Sequence, residues 1–226
     1  MCRMIGYLAD KDINVSLYFE ALKFQAEHGK HSPHKDGWGY ATYKDEEFNF
    51  KKSLKPVWED TYNGPEKAKT AVLHARQASP STPLVYQNAH PFIFQVNGEI
   101  WSFVHNGSIK NIPEEWGKEL DSKVYANLIE EELKKGESPI ESVKKVAEKI
   151  RNKCEITAIN AFLVTSDQFL AVRHSDESHM LFYHADESIF EISTEAVKEN
   201  WIEMKNPSMI FAQRKEGKIE FQFLEL

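Results

Sequence analysis

Apolar residues recur along this chain at two periods. Over residues 14–28 (NVSLYFEALKFQAEH), Val15, Tyr18, Phe19, Leu22 and Ala26 fall three and four positions apart, which predicts an amphipathic helix with Asn14 as its cap. Short apolar or alternating runs at 38–43, 71–75, 91–96, 100–105, 158–165, 168–173, 180–184, 208–213 and 218–226 predict strands. Between them, SKVYANLIEEELKK and SPIESVKKVAEKIRN return to helical spacing. The second opens with Ser138, Pro139 and Glu141, a capping box with proline at the first helical position. GESP (136–139) therefore reads as a turn between two helices rather than a domain boundary. Strands, two central helices and further strands predict an α+β protein in which helices cover sheet faces, not a regular alternating parallel fold. With no internal repeat, low-complexity tract or Gly/Ser linker, the 226 residues are expected to form a single domain spanning 1–226.

Charge and cysteine usage narrow the function classes. A formal charge of −7 opposes nucleic-acid binding by phosphate neutralisation, which requires a basic face. No apolar run approaches the roughly 20 residues needed to cross a bilayer, and MCRMIGYLADKD lacks the apolar stretch and cleavage site of a signal peptide. A cytoplasmic location is expected, with no membrane partner. Cys2 and Cys154 provide neither a disulfide framework nor a paired zinc motif. Cys154 reads as structural, and Cys2 as either a small buried residue or a nucleophile.

The nucleophile reading follows from position. Removal of Met1 would make Cys2 the first residue, with a free α-amine beside its thiol. A thiol of pKa near 8.5 is mostly protonated at neutral pH, whereas an α-amine, with a reference value of about 7.7–8.0, can take that proton and later return it to a leaving nitrogen. Attack on an amide also needs donors for the developing oxyanion. Asn106 and Gly107, within His105-Asn106-Gly107, offer a side-chain NH₂ and a main-chain N–H, although locally Asn-Gly reads first as a hairpin turn. An amino-acid end of a substrate calls for a guanidinium fork and an acid. Arg76, closing AVLHAR, suits the carboxylate and Asp121 the ammonium, and Ser79 in the loop ASPSTP adds a hydroxyl.

The ordered set Cys2, Asp36-Gly37-Trp38-Gly39, His74-Ala75-Arg76-Gln77-Ala78-Ser79, His90-Pro91-Phe92, His105-Asn106-Gly107 and Asp121-Ser122 resembles the class II glutamine amidotransferases, which are N-terminal-nucleophile hydrolases. It looks closest to their stand-alone branch of YafJ-like proteins and γ-glutamyl amidohydrolases. The resemblance covers about the first 125 residues. It implies a four-layer αββα sandwich and a γ-glutamyl thioester on Cys2. It further implies an oxyanion hole from Asn106 and Gly107, and substrate held by Arg76 and Asp121, with His90 and Ser79 lining the pocket. Gly37 and Gly39 are then assigned to close backbone packing, and Trp38 to support. Where many relatives read Asp-Ser-Glu, this chain has Lys123, a charge reversal beside the ammonium site.

The expected reaction cleaves the γ-amide of glutamine or of a γ-glutamyl compound and releases glutamate with ammonia or an amine. No cofactor or metal is expected. The C-terminal hundred residues carry no synthase motif, so ammonia either passes to a separate acceptor subunit or is simply released. Two other readings are a metal-dependent hydrolase built on His28, His31, His34 and Asp36 or on His74, His90 and His105, and a non-catalytic γ-glutamyl-binding protein of the same fold.

Overall fold

The computed structural model describes residues 2–79, 82–176 and 178–226. The first strand, β1 (Arg3–Asn14), leads directly into helix α1 (Val15–His28), and Asn14 caps the helix by accepting the Ser16 N–H. Strands β2 (Trp38–Lys44), β3 (Glu47–Ser53) and β4 (Lys67–Ala75) follow, then β5 (Phe92–Val96) and β6 (Glu99–Lys110). The two central helices are α2 (Asp121–Lys134) and α3 (Pro139–Lys153), the latter capped by the Ser138 hydroxyl, which accepts the Glu141 N–H at 3.2 Å. The chain closes with β7 (Glu155–Val164), β8 (Gln168–Arg173), β9 (Phe182–Ala185), β10 (Ile189–Ser193), β11 (Ile202–Glu203), β12 (Ser208–Lys215) and β13 (Lys218–Leu224).

Among the described residues these strands form two sheets with antiparallel pairing throughout. One has seven strands in the order β11-β9-β10-β1-β4-β2-β3, and the other six in the order β13-β12-β8-β7-β6-β5. Alternation along each strand sends side chains to opposite faces, and three apolar clusters follow from it. Met4, Leu8 and Val72 of the first sheet meet Val104, Phe162 and Phe169 of the second, filling the space between the sheets. Ile5, Tyr7 and Leu73 point the other way, onto Val15, Phe19 and Leu22 of α1. On the outer face of the second sheet, Phe103, Leu163 and Val172 pack under Tyr125 and Ile129 of α2 and Val146 and Ile150 of α3. The layers are therefore helix, sheet, sheet, helices, the expected αββα sandwich. Each fully buried aliphatic or aromatic side chain contributes about 1.5–3 kcal/mol, so all three layers of apolar contact hold the arrangement.

Two sequence expectations need correction. Residues 106–107 are not a hairpin turn: they lie inside β6, with Asn106 opposite Asn160 and Gly107 opposite Ile159 on β7. The glycine is required there because strands approach closely, and a Cβ at Gly107 would lie 1.9 Å from the Ala158 carbonyl oxygen. Strands β1, β3 and β10 also go beyond the apolar runs. β1 is central in its sheet and buried on both faces through Tyr7–Ala9, so its sequence shows no alternation.

Candidate active site

The register of β1 on β4 places the site. Arg3 pairs with Ala75, which brings Cys2, just before β1, beside Arg76, just after β4. The second sheet supplies β6, and the Cys2 main-chain N–H donates to Asn106 Oδ1 at 2.7 Å across the two layers. The Cys2 thiol faces the Gln77 carbonyl oxygen at 3.8 Å. The first turn of α2 closes the site with Asp121. Its Oδ2 accepts the Ile109 N–H at 3.0 Å, and its Oδ1 accepts the Ser122 N–H at 2.7 Å. These bonds hold the carboxylate at the helix N-terminus, where the helix dipole favours an anion.

The loop after β4 is held by the DGWG segment. Asp36 donates its N–H to the Arg76 carbonyl at 3.0 Å, Arg76 donates its N–H to the Gly37 carbonyl at 2.8 Å, and Asp36 Oδ2 accepts the Ala78 N–H at 2.8 Å. Asp36 is thus a positioning residue for residues 76–78, a role that the sequence motif contained but did not specify. A Cβ on Gly39 would lie 2.3 Å from the His90 carbonyl oxygen, so the His90-Pro91 segment crosses β2 at a point where only glycine fits. Trp38 donates its indole N–H to Asp60 and takes no part in the cavity, consistent with support.

Cys2, Arg76, Ser79, His90, Gly107 and Asp121 all line one open cavity of about 700 Å³. Asn106 lies beside it, buried against Cys2. Ser79 is exposed at the rim, where its carbonyl accepts the Thr82 N–H at 2.9 Å. Several polar groups here are buried with no partner among the described residues: Nη1 of Arg76, Nδ2 of Asn106 and both ring nitrogens of His90. A buried donor without an acceptor is unfavourable by about 1–3 kcal/mol, so these groups stand out among those around the cavity.

Burial pushes the Cys2 thiol above its ordinary value; the Arg76 guanidinium pulls it back down, and the Asp121 carboxylate pushes it further up. The thiol therefore needs a base to become a nucleophile. Met1, whose removal would free the α-amine, lies outside the described residues, as do Pro80, Ser81 and Glu177. The histidines of the motifs are buried and neutral. His74 is lowered to about 3 by burial, and His90 is held well below its ordinary value by burial and by His74. Their rings stack with centroids 4.1 Å apart. His105 is likewise lowered by burial, and its ring nitrogens face the Ser122 hydroxyl at 2.8 Å and the Ala158 carbonyl at 3.2 Å.

The proposed metal clusters do not assemble. Among the described residues no three His, Cys, Asp or Glu groups are disposed to hold an ion. His34 Nδ1 faces the Ala26 carbonyl at 3.2 Å, and Asp36 is occupied by Ala78. Lys123 turns its ammonium over the Phe92 ring, 5.6 Å from the centroid, so its charge is directed at an aromatic face.

A family model described as class-II glutamine amidotransferases matches residues 1–181. YafJ of Escherichia coli K12, which carries the name of a glutamine amidotransferase, is 30% identical over 117 residues, covering 48% of this chain and 44% of that protein. A glutamine–fructose-6-phosphate aminotransferase (isomerizing) of Zymomonas mobilis is 29% identical over 164 residues, covering 67% of this chain and 25% of that protein. The chain spans less than half the length of these curated relatives. Among solved structures, a glutamine phosphoribosylpyrophosphate amidotransferase from B. subtilis superposes with a TM-score of 0.73 at 17% identity, covering 98% of this chain and 49% of that one. A predicted glutamine amidotransferase from Pseudomonas aeruginosa superposes with a TM-score of 0.64 at 19% identity, covering 96% and 99%. At these identities the structural likeness concerns the fold. No helix among the described residues is long and apolar enough to cross a membrane.

Proposed function

We propose, from the premise that this chain belongs to the class II glutamine amidotransferases, that it hydrolyses the γ-amide of glutamine or a γ-glutamyl compound through Cys2. The observation that carries the reading is the pairing of Cys2 with Asn106: one side chain receives the Cys2 nitrogen at 2.7 Å and keeps a buried NH₂ without a partner among the described residues. With Met1 removed, that nitrogen is the α-amine. It takes the thiol proton, directly or through one water, and the thiolate attacks the γ-carbonyl carbon. Charge developing on the carbonyl oxygen is received by Asn106 Nδ2 and the Gly107 N–H. Collapse breaks the C–N bond, the proton passes from the α-amine to the leaving nitrogen, and a γ-glutamyl thioester remains on Cys2. Water, deprotonated by the same amine, cleaves the thioester to glutamate and the free thiol.

Arg76 and Asp121 define the amino-acid end. The free Arg76 Nη1 pairs with the substrate α-carboxylate, and Asp121 accepts from its ammonium. Ser79 and His90 contribute polar groups to the cavity wall. A second reading, in which the ammonia passes to a separate synthase, is favoured by the names of relatives, which couple glutamine to fructose 6-phosphate or phosphoribosylpyrophosphate. In both readings the Cys2 chemistry is the same.

The test is glutamate release from glutamine and a γ-glutamyl panel by protein verified by intact mass to begin at Cys2, beside a Cys2→Ala variant. Release by wild type alone supports hydrolysis through Cys2, and equal release by both refutes it. Activity confined to glutamine and raised by an added synthase favours ammonia transfer.

A further inference from the structure

Resting on that hydrolytic reading, we infer that the outer half of the cavity is a leaving-side subsite, with Lys110 as its specificity-determining residue. The ligand class is γ-glutamyl compounds whose amine carries an apolar group and a carboxylate, that is, γ-glutamyl dipeptides. The first ground is size. A cavity of about 700 Å³ falls in the range of roughly 300–1,000 Å³ that encloses ligands far larger than a single amino acid. The groups proposed to grip the γ-glutamyl end, Cys2, Arg76, Gly107 and Asp121, account for one side of it. The remainder is built largely from Thr82, Pro83 and Asn88 and from residues 110–112 and 118–120, which free glutamine, with NH₂ as its leaving side, has no group to fill.

The second ground is the chemistry of that remainder. Pro83, Ile112 and Leu120 give it apolar wall, against which a leucine-sized leaving group is removed from water. Lys110, at the end of β6, and Lys118 add two ammonium groups. Lys118 is paired with Glu114 at 3.4 Å, with both side chains more than four-fifths exposed, and Glu119 also lines the wall beside it. Lys110 forms no ion pair with a described residue; its register partner Glu155 instead accepts from Asn111 Nδ2 at 2.8 Å. A ligand carboxylate is therefore received at Lys110 rather than at Lys118, whose ammonium already faces Glu114.

The experiment is calorimetric binding to Cys2→Ala protein, which cannot turn substrate over, with γ-glutamyl-leucine, γ-glutamyl-leucinamide and glutamine. The dipeptide is expected to bind about tenfold more tightly than glutamine, and about threefold to fivefold more tightly than the amide, which lacks the carboxylate. In a Lys110→Met, Cys2→Ala protein the acid and the amide should bind alike. Equal affinity of acid and amide in the Cys2→Ala protein, or a difference that survives Lys110→Met, overturns the subsite, as does glutamine binding as tightly as the dipeptide. If this affinity pattern holds while wild-type protein beginning at Cys2 releases no glutamate, the subsite stands and the hydrolytic reading fails.

Discussion

Asn106 accepts the Cys2 main-chain N–H through Oδ1 at 2.7 Å and leaves its own Nδ2 buried without a partner. The amide thus joins the two sheets at the thiol and orients a donor by fixing its acceptor. Asn106→Asp keeps an acceptor for the nitrogen and loses the donor, while Asn106→Ala loses both. Both should lower kcat for glutamate release by about 10²–10³-fold with KM changed far less, since an oxyanion donor acts in the transition state. A KM effect with kcat intact would remove Asn106 from this role.

Arg76 is buried with Nη1 unsatisfied at the cavity wall. Arg76→Ala should raise KM about 10–100-fold, the loss of one charge-assisted hydrogen-bonded pair, with kcat within a few-fold of wild type. Steady-state kinetics on glutamine measure it, and an unchanged KM contradicts the assignment.

Gly107→Ala should destabilise the fold by about 2 kcal/mol or more, because a methyl 1.9 Å from the Ala158 carbonyl forces β6 and β7 apart. Urea unfolding of the variant beside wild type reads this, and a midpoint equal to that of wild type contradicts it.

Acid should weaken the fold through the buried histidines. His34 and His74, fully buried, have folded values lowered to about 4 and about 3 from an ordinary 6.5, by burial in each case. Between those values and 6.5 the unfolded chain binds more protons than the folded one, so stability rises with pH across that window and is fully present above about 6.5. Each such histidine contributes up to about 1.4 kcal/mol per pH unit there. Urea unfolding at pH 7.5 and 5.0 is expected to show a lower midpoint at pH 5.0, and the drop should shrink in His34→Gln.

Much of this arrangement is legible in the residues before any coordinates. The Asn14 cap, the Ser138 cap and strand β8 fall where periodicity places them, because caps and alternation are local properties. β1 is hidden because it is buried on both faces, and Asn106-Gly107 misleads because its turn-forming tendency is overridden by pairing along β6 and β7. At the site, Cys2, Arg76, Ser79, His90, Gly107 and Asp121 line one cavity, with Asn106 against Cys2. The positioning bond from Asp36 to Ala78 and the Lys110 wall depend on contacts between distant segments, which spacing along the chain does not encode.

The most direct measurement is intact mass after rapid acid quench of protein beginning at Cys2 during turnover of a γ-glutamyl substrate. The chemistry set out for Cys2 predicts a species heavier by one glutamyl group, localised to Cys2 by peptide mapping and absent from Cys2→Ala. Glutamate release in the same mixture with no adduct at any quench time, or an adduct carried by another residue, would contradict it.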